Sequence, residues 1–174
     1  NRPKVYKFKR RASPQCMDAI LADDGNGSYC GTVLQAVTID ASRRSVWKEI
    51  GNIVGLPEWV TDVKKAEFLS KTRYGIGAAR RLWFADGSIV DEYVTGWKEG
   101  QYLSYIATSG LPLRGYHATI SITPRKNASY VLWSSFLISE KTDRKKFEEF
   151  LSFMESFYSG SLKNLKAKIE KQHN

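Results

Sequence analysis

The feature that most constrains the fold of this chain is a long helical segment in its C-terminal third, residues 141–171. No proline interrupts the segment, and its large apolar residues recur at helical spacing. These residues are Phe147, Phe150, Leu151, Met154, Phe157, Tyr158, Leu162, Leu165 and Ile169. Phe153 and Phe157 make the apolar stripe wider than packing on one sheet face requires. Because a long helix held by a curved sheet can enclose an apolar cavity, we predict that the chain binds a hydrophobic small molecule.

Before this helix, apolar and polar residues alternate in short runs that are typical of β-strands. The first run is residues 32–39, and Asp40 or Ser42 can cap a following helix over residues 43–51. A second helical turn is predicted at residues 58–62. Six further strands are predicted at residues 64–70, 77–84, 89–97, 102–107, 116–123 and 130–139. No helix-length segment separates these six strands, so we expect an antiparallel sheet whose neighbours are sequential.

These elements predict an α+β protein with a single domain. A chain of 174 residues that is 42% apolar can form one core. We expect a curved antiparallel sheet of about seven strands around the C-terminal helix, with two short helices after the first strand. Residues 1–31 are basic and rich in turn residues, and we interpret them as an N-terminal extension with at most a short strand or helical turn at residues 17–21. Residues 32–174 then form the domain.

The net charge of +9 is concentrated at the two ends of the chain. The first eleven residues include six basic and no acidic residues, and residues 141–174 include eight basic and five acidic ones. The stretch between them has thirteen of each sign, so we expect no nucleic-acid partner for the body of the domain. The basic arm at residues 1–11 is either a solvated tail or an electrostatic tether to an anionic membrane surface or RNA.

Histidine and cysteine are too sparse to suggest a metal site or a histidine-driven hydrolase. The chain has two cysteines, Cys16 and Cys30, without a CxxC spacing, and two histidines, His117 and His173. We therefore expect no metal and no cofactor, and two free thiols rather than a disulfide. The chain has no apolar run of about 18 residues, and its first residues lack the apolar core of a signal peptide. The expected location is cytoplasmic.

Several short motifs follow one another in a characteristic order. They are Ile39-Asp40-Ala41-Ser42, Val46-Trp47, Leu56-Pro57-Glu58-Trp59, residues 77–80, Asp86-Gly87, Glu92, Leu111-Pro112, Tyr116, Trp133, Phe136, Tyr158, Leu162 and Leu165-Lys166. Their order and spacing, over residues 33–171, resemble the START-like (SRPBCC) superfamily of helix-grip domains, and within it the polyketide cyclase/dehydrase and lipid-transport group. The resemblance implies the helix-grip fold but no particular ligand, because this superfamily binds many different molecules.

A carboxylate is predicted inside the cavity. Strand alternation directs either Asp91 or Glu92 inward, and the resemblance favours Glu92. A buried carboxylate needs a donor, which Arg80 or Arg81 on the preceding strand can supply. A two-residue turn at Asp86-Gly87 pairs Arg81 with Glu92, whereas a three-residue turn with a bulge pairs Arg80 with it.

The resemblance favours the second alternative, because it places Arg80, Leu82 and Phe84 inward. The two charges of the ion pair then either only satisfy each other or also orient a polar group of the ligand, as a few polar groups do in apolar pockets.

Aromatic and small side chains are further candidates for the cavity wall. On the strands these are Tyr105, Tyr116, Trp133 and Ser135; an aromatic residue there is either plain core or a wall residue that also offers a hydrogen bond. The resemblance places Tyr116, Ala118 and Trp133 on the concave face, and it directs Phe153, Phe157 and Ser161 of the helix towards the cavity. His117 should lie on the outer face. The loop Ser109-Gly110-Leu111-Pro112 is a candidate for closing the cavity mouth.

Three functions fit these residues. The first is a non-enzymatic carrier or sensor of a lipid, polyketide or similar molecule, which the scarcity of nucleophiles favours. The second is a cyclase, dehydratase or hydrolase that uses Glu92 or Tyr116 as an acid or base in the same cavity, although a carboxylate neutralised by arginine suits that role less well. The third is a module that docks to a membrane or an acidic protein through residues 1–11.

Overall fold

The computed structural model describes residues 5–7 and 20–172, and in this part of the chain nine strands form one antiparallel sheet. The strands are β1 (Val5–Lys7), β2 (Ile20–Asp23), β3 (Tyr29–Ile39), β4 (Val63–Phe68), β5 (Ala79–Phe84), β6 (Ile89–Lys98), β7 (Tyr102–Ser109), β8 (Leu113–Arg125) and β9 (Ala128–Ser139). The helices are α1 (Arg43–Ile50) and α2 (Arg144–Lys171), with a 3₁₀ turn at Leu56–Glu58. This arrangement confirms the α+β helix-grip fold.

The sheet runs in the order β1-β2-β3-β9-β8-β7-β6-β5-β4. Strands β4 to β9 are therefore sequential neighbours, as predicted. The first strand of the domain, β3, pairs with the last, β9, over ten residue pairs from Cys30↔Ile138 to Ile39↔Ser129. This long pairing places α2, which follows β9, across the inner face of the sheet.

Two strands precede those expected from the sequence. β2 pairs with β3, and β1 pairs with β2, so the sheet of the described residues exceeds the predicted count of about seven. The turn-rich segment between β2 and β3 is a hairpin loop, in which the carboxylates of Asp23 and Asp24 accept the backbone N–H groups of Gly25 and Asn26. β2 includes the end of the segment 17–21, where the sequence allowed at most a short strand or a helical turn, and continues to Asp23. Residues 17–19 lie outside the described part.

The long helix begins at a side-chain cap and packs along β3. Asp143 accepts the backbone N–H of Lys146 at 2.9 Å, which satisfies one of the free donors at the helix start. The buried residues of α2 recur along one face: Phe147, Leu151, Met154, Glu155, Tyr158, Ser161, Leu162, Leu165 and Ile169. A Cβ at Gly31 would lie 2.7 Å from a methyl group of Leu151, so this glycine lets the helix approach the sheet closely.

Two short helical elements follow β3. α1 starts at Ser42, whose hydroxyl accepts the N–H of Ser45, and buries Val46, Trp47 and Ile50. The second predicted helical turn is the 3₁₀ turn Leu56–Glu58, slightly earlier than the predicted residues 58–62. Among the described residues, no helix is long and apolar enough to cross a membrane.

Some sequence-based expectations fall outside the described residues. Cys16 is one of them, so whether it pairs with Cys30 stays a prediction. His173 also lies outside, whereas His117 is exposed on β8. Of the basic arm, the structure describes only the backbone of Val5–Lys7.

Candidate functional site

A cavity of about 280 Å³ lies between the inner face of the sheet and α2. Its apolar wall is formed by Leu56, Val60, Leu82, Phe84, Val90, Leu111, Pro112, Trp133, Phe150, Phe153, Met154 and Phe157. Its polar groups and its one glycine are Arg80, Asp86, Ser88, Glu92, Tyr105, Gly110 and Tyr116. The cavity is thus mainly apolar and aromatic, with few polar groups to fix the orientation of a ligand.

Most of the residues that the sequence nominates for this cavity do line it. They are Arg80, Leu82, Phe84, Glu92, Tyr105, Tyr116, Trp133, Phe153 and Phe157. Ala118, Ser135 and Ser161 do not. Lining the cavity is a matter of position, and a role in ligand binding remains a prediction for all of them.

Ala118 and Ser135 lie on the inner face but are buried beneath larger side chains. They are paired with each other across β8 and β9, and Ala118 is paired with Tyr105 across β7 and β8. Ser135 lies beside the hydroxyl of Tyr158. The resemblance placed Ala118 on the correct face, but small side chains between aromatic ones do not reach the open space.

Ser161 ties the helix to the segment after the 3₁₀ turn. Its Oγ accepts the backbone N–H of Thr61 at 3.0 Å and donates to the carbonyl of Phe157 at 2.7 Å. The single hydroxyl proton is therefore already used within the protein. A Cβ at Gly160 would lie 3.2 Å from Thr61 Oγ1, so Gly160 permits this close packing.

Arg80 and Glu92 form a buried ion pair on neighbouring strands. The register pairs Arg80 with Glu92 and Arg81 with Asp91. Residues 85–87 form a three-residue turn in which Gly87 has φ +87°, as the bulged-turn alternative requires. Both Nε and Nη2 of Arg80 lie 2.7 Å from Oε2 of Glu92, while the pair formed by Arg81 and Asp91 is partly exposed.

The guanidinium of Arg80 has two further partners. Its Nη1 donates to the carbonyl oxygen of Ile53 at 2.9 Å, and its Cζ lies 5.0 Å from the centre of the Tyr105 ring. These contacts hold the cation in one position, with a cation–π interaction on one face. Arg80 is therefore a fixed donor rather than a mobile side chain.

The carboxylate of Glu92 is only partly satisfied. Burial raises the pKa of Glu92, and the neighbouring Arg80 opposes part of that rise. Among the described residues, Arg80 is its one hydrogen-bond partner, and both bonds go to Oε2. Glu92 lines the cavity, and within the described residues its Oε1 forms no hydrogen bond.

A network of aromatic side chains forms the back wall of the cavity. Trp133 Nε1 donates to the hydroxyl of Tyr105 at 3.0 Å, and the hydroxyls of Tyr105 and Tyr116 are 3.5 Å apart. The Tyr116 hydroxyl is also hydrogen-bonded to that of Tyr158. We refer to Tyr105, Tyr116, Trp133 and Tyr158 as the aromatic wall.

The phenols of this wall keep their protons at neutral pH. Burial raises the pKa of Tyr105, Tyr116 and Tyr158 above the ordinary value, and the charge of Glu92 adds to the effect. A phenol with a raised pKa donates hydrogen bonds but is a poor general base. Tyr116 can therefore polarise or orient a bound group, whereas it is not suited to remove a proton.

The mouth of the cavity lies between α2 and two sheet turns. Phe153 is 58% exposed and stacks on Phe157, which lies deeper, at 6.1 Å between ring centroids. Opposite them are Asp86 and the loop at residues 110–112, the segment predicted to close the mouth. A Cβ at Gly110 would lie 1.9 Å from the carbonyl oxygen of Ile89, and its φ is +90°, so this position requires glycine.

Several wall residues were missed by the sequence reasoning. They are Leu56, Val60, Asp86, Ser88, Val90, Phe150 and Met154. Val90 could have been found, because it lies two residues from Glu92 on the same strand face. Leu56 and Val60 belong to a short turn with no periodic signal. In the described part, no group of His, Cys, Asp and Glu could hold a metal ion.

Comparison with protein families gives one match over most of the chain. The family described as "Polyketide cyclase / dehydrase and lipid transport" matches residues 31–170. No curated protein sequence matches the chain.

Solved structures of the same fold come from several bacteria. XoxI from Bacillus cereus is 22% identical and superposes with a TM-score of 0.71, over 82% of this chain and 98% of that one. The ZhuI aromatase/cyclase from a Streptomyces species is 13% identical with a TM-score of 0.69, over 83% of this chain and 96% of that one. A START superfamily protein from Mycobacterium smegmatis is 14% identical with a TM-score of 0.66, over 81% and 98%. At these identities the likeness shows the fold alone.

Proposed function

Because the chain belongs to the polyketide cyclase/dehydrase and lipid transport family, we propose that it binds one small hydrophobic molecule in its cavity, as a carrier or sensor. The observation that carries this proposal is the cavity itself, an apolar and aromatic space between sheet and helix with few polar groups. Ligand sites in proteins have this composition, with the polar groups setting orientation.

The size of the cavity limits the ligand. Its volume of about 280 Å³ lies near the lower end of the range for sites that hold drug-sized molecules, about 300 to 1,000 Å³. One compact molecule fits such a space, whereas a lipid with two acyl chains does not.

The polar groups specify one end of the ligand. Oε1 of Glu92 accepts a hydrogen bond, and the fixed Arg80 keeps that carboxylate from moving away. The ligand we propose therefore carries a hydroxyl or N–H group at the end that meets Glu92, and an apolar body against Phe84, Trp133 and Phe157.

Native mass spectrometry of the full chain, followed by organic extraction, tests the proposal. Wild-type protein should carry one hydrophobic molecule per chain, and Phe157→Asp should lose it because a charge would then face the cavity. Phe136→Asp is the matched control, since Phe136 is an exposed phenylalanine on β9 outside the cavity. Protein that is empty and takes up neither a fatty acid nor an aromatic probe would overturn the proposal.

A second candidate is an enzyme with Glu92 as its acid or base. The lack of a hydrogen-bond partner for Oε1 among the described residues favours it, because a carboxylate oxygen in an apolar cavity can accept a substrate proton. Comparison of the molecules extracted from wild type and Glu92→Gln tests this role. A dehydratase should leave substrate in the variant and product in the wild type, differing by the mass of one water, whereas identical molecules would contradict catalysis.

Membrane association through residues 1–11 stays a separate proposal, since their side chains lie outside the described residues. Six basic residues without an acid should attract an anionic bilayer, and salt should weaken the attraction. Replacing all six with glutamine in the full chain should abolish any salt-sensitive binding that the arm provides.

A further inference from the structure

The loop between β4 and β5, residues 69–78, presents apolar side chains to solvent at one end of the sheet. Tyr74 is 73% exposed and Ile76 is 69% exposed, the two highest values for large apolar residues in the described part of the chain. We call this segment the β4–β5 loop. It lies at the opposite end of β5 from the turn at residues 85–88, which contributes to the cavity mouth.

The base of the β4–β5 loop is firmly held. Ser70 Oγ accepts the backbone N–H of Ala79 at 2.8 Å and donates to the carbonyl of Thr72 at 2.6 Å. The N–H of Gly77 donates to the carbonyl of Val94 at 2.9 Å. Fixed ends below an exposed tip keep Tyr74 and Ile76 away from the core, so their exposure is a property of the folded loop.

Basic side chains flank these two residues. Lys71 and Arg73 are exposed, and the loop contains no acidic residue. Within the described residues neither cation forms an ion pair; Arg73 lies over the ring of Phe68 at 4.5 Å. The loop tip therefore combines two apolar side chains with two uncompensated positive charges.

A third cation and a hydrogen-bonded carboxylate lie on the adjoining surface. Lys48 on α1 lines a shallow groove together with Tyr74. Glu99 lines the same groove, but both of its oxygens accept indole N–H groups, from Trp47 at 2.6 Å and from Trp97 at 3.1 Å. Both carboxylate oxygens of Glu99 are thus already hydrogen-bonded within the protein.

We propose that the β4–β5 loop docks the protein onto an anionic lipid bilayer. Tyr74 and Ile76 enter the interfacial layer, where an aromatic ring with a hydroxyl and an aliphatic side chain are both favoured. Lys71 and Arg73 contact the lipid phosphates. This contact is independent of ligand binding, and it leaves the cavity mouth, at the other end of β5, open to solvent.

The charges favour a bilayer over a second copy of the chain. If two copies met through this loop, Lys71 and Arg73 of one copy would face the same cations of the other, and these like charges would repel. Two apolar side chains also bury far less than the roughly 800 Å² per partner of a stable protein interface. A bilayer supplies both the apolar layer and the opposite charge.

Vesicle flotation of the full chain tests the proposal. The vesicles are phosphatidylcholine alone and phosphatidylcholine with about 30% phosphatidylserine. Wild type should bind the anionic vesicles, and Tyr74→Ser with Ile76→Ser should weaken binding about tenfold or more. Lys71→Gln with Arg73→Gln should weaken it by a similar factor on anionic vesicles only. Phe136→Ser, which removes an exposed phenylalanine from the sheet, is the matched control and should bind like wild type.

Three results would overturn the proposal. One is wild-type protein that does not float with anionic vesicles. Another is a Tyr74→Ser, Ile76→Ser variant that floats like wild type, which would assign binding to residues 1–11. The third is self-association that this variant abolishes in the absence of vesicles, which would assign the loop to a second copy. Thermal unfolding of each variant checks that loss of binding is not loss of folding.

Discussion

The ring of Tyr158 on α2 lies parallel to the indole of Trp133 on β9, with 4.0 Å between ring centroids and 12° between planes. The Tyr158 hydroxyl is hydrogen-bonded to Tyr116 on β8, and Trp133 donates to Tyr105 on β7. The aromatic wall thereby joins the helix to three adjacent strands. Because these buried polar groups satisfy one another, a change in any of them should affect both the stability of the protein and the shape of its cavity.

Alkaline pH should unfold the protein through this wall. Burial raises the pKa of Tyr105, Tyr116 and Tyr158 in the folded state, whereas in the unfolded chain they ionise near pH 10. Above that pH the unfolded state binds fewer protons than the folded state, so stability is lost as pH rises. Three such groups give a slope of about 4 kcal/mol per pH unit.

Tyr158→Phe should reduce that slope by about one third, as measured by urea unfolding at several pH values above 10. Tyr74→Phe is the control, because Tyr74 is exposed and should not contribute. Equal slopes in wild type and Tyr158→Phe would show that Tyr158 is not a titrating partner in unfolding.

Loss of Arg80 should destabilise the protein more than loss of the adjacent Arg81. Arg80→Ala leaves the buried carboxylate of Glu92 without its partner, which typically costs about 3 to 5 kcal/mol. Arg81→Ala breaks a partly exposed pair and should cost less than about 1 kcal/mol. Chemical denaturation measures both, and Arg80→Met with Glu92→Gln, which removes both charges, should recover most of the loss. Similar losses at the two arginines would contradict the assignment.

Gly110 should tolerate substitution less well than Gly77, although both have positive φ, +90° and +87°. At Gly77 a Cβ meets open space. Gly77→Ala should therefore lower the unfolding free energy only by the strain of alanine at a positive φ, about 1 to 2 kcal/mol. Gly110→Ala also drives its Cβ into the Ile89 carbonyl, so the unfolding free energy should fall by more than about 3 kcal/mol. Equal losses would mean that the loop at residues 110–112 can shift away from β6.

Ser161→Ala should lower stability without changing ligand affinity. The backbone N–H of Thr61 loses its acceptor, which costs about 1 to 3 kcal/mol. Ser156→Ala, at an exposed position of the same helix, should stay within about 0.5 kcal/mol of wild type. Titration with the extracted ligand completes the comparison, since a loss of affinity in Ser161→Ala alone would place this hydroxyl at the cavity after all.

The parts of the site that depend on local sequence were predictable. The three-residue turn with Gly87 sets the register between β5 and β6, and that register alone decides whether Arg80 or Arg81 meets Glu92. The resemblance likewise placed Tyr116 and Trp133 on the inner face, where they line the cavity. Turn type and side-chain period depend on a few neighbouring residues, but the sequence left two turn types open at Asp86-Gly87, and the family resemblance favoured the one that the structure has.

Features that depend on distant residues were not predictable. The hydroxyl of Ser161 is hydrogen-bonded to the backbone N–H of Thr61, one hundred residues earlier in the chain, and therefore does not line the cavity. Ala118 and Ser135 occupy the predicted face, but their distance from the open space depends on the sizes of side chains on other strands. For β2 the sequence allowed only a short strand or a helical turn at residues 17–21, because a four-residue run beside strong turn formers has too few positions to establish a period.

The aromatic wall also restricts how this protein can acquire new specificity. Its residues hold the helix on the sheet, so a substitution that enlarges the cavity from behind also loosens the fold. Phe153 and Pro112 border the same space at the mouth and are exposed. Substitutions that change the accepted molecule but preserve folding should therefore accumulate at the mouth of the cavity. The aromatic wall at its back should change least.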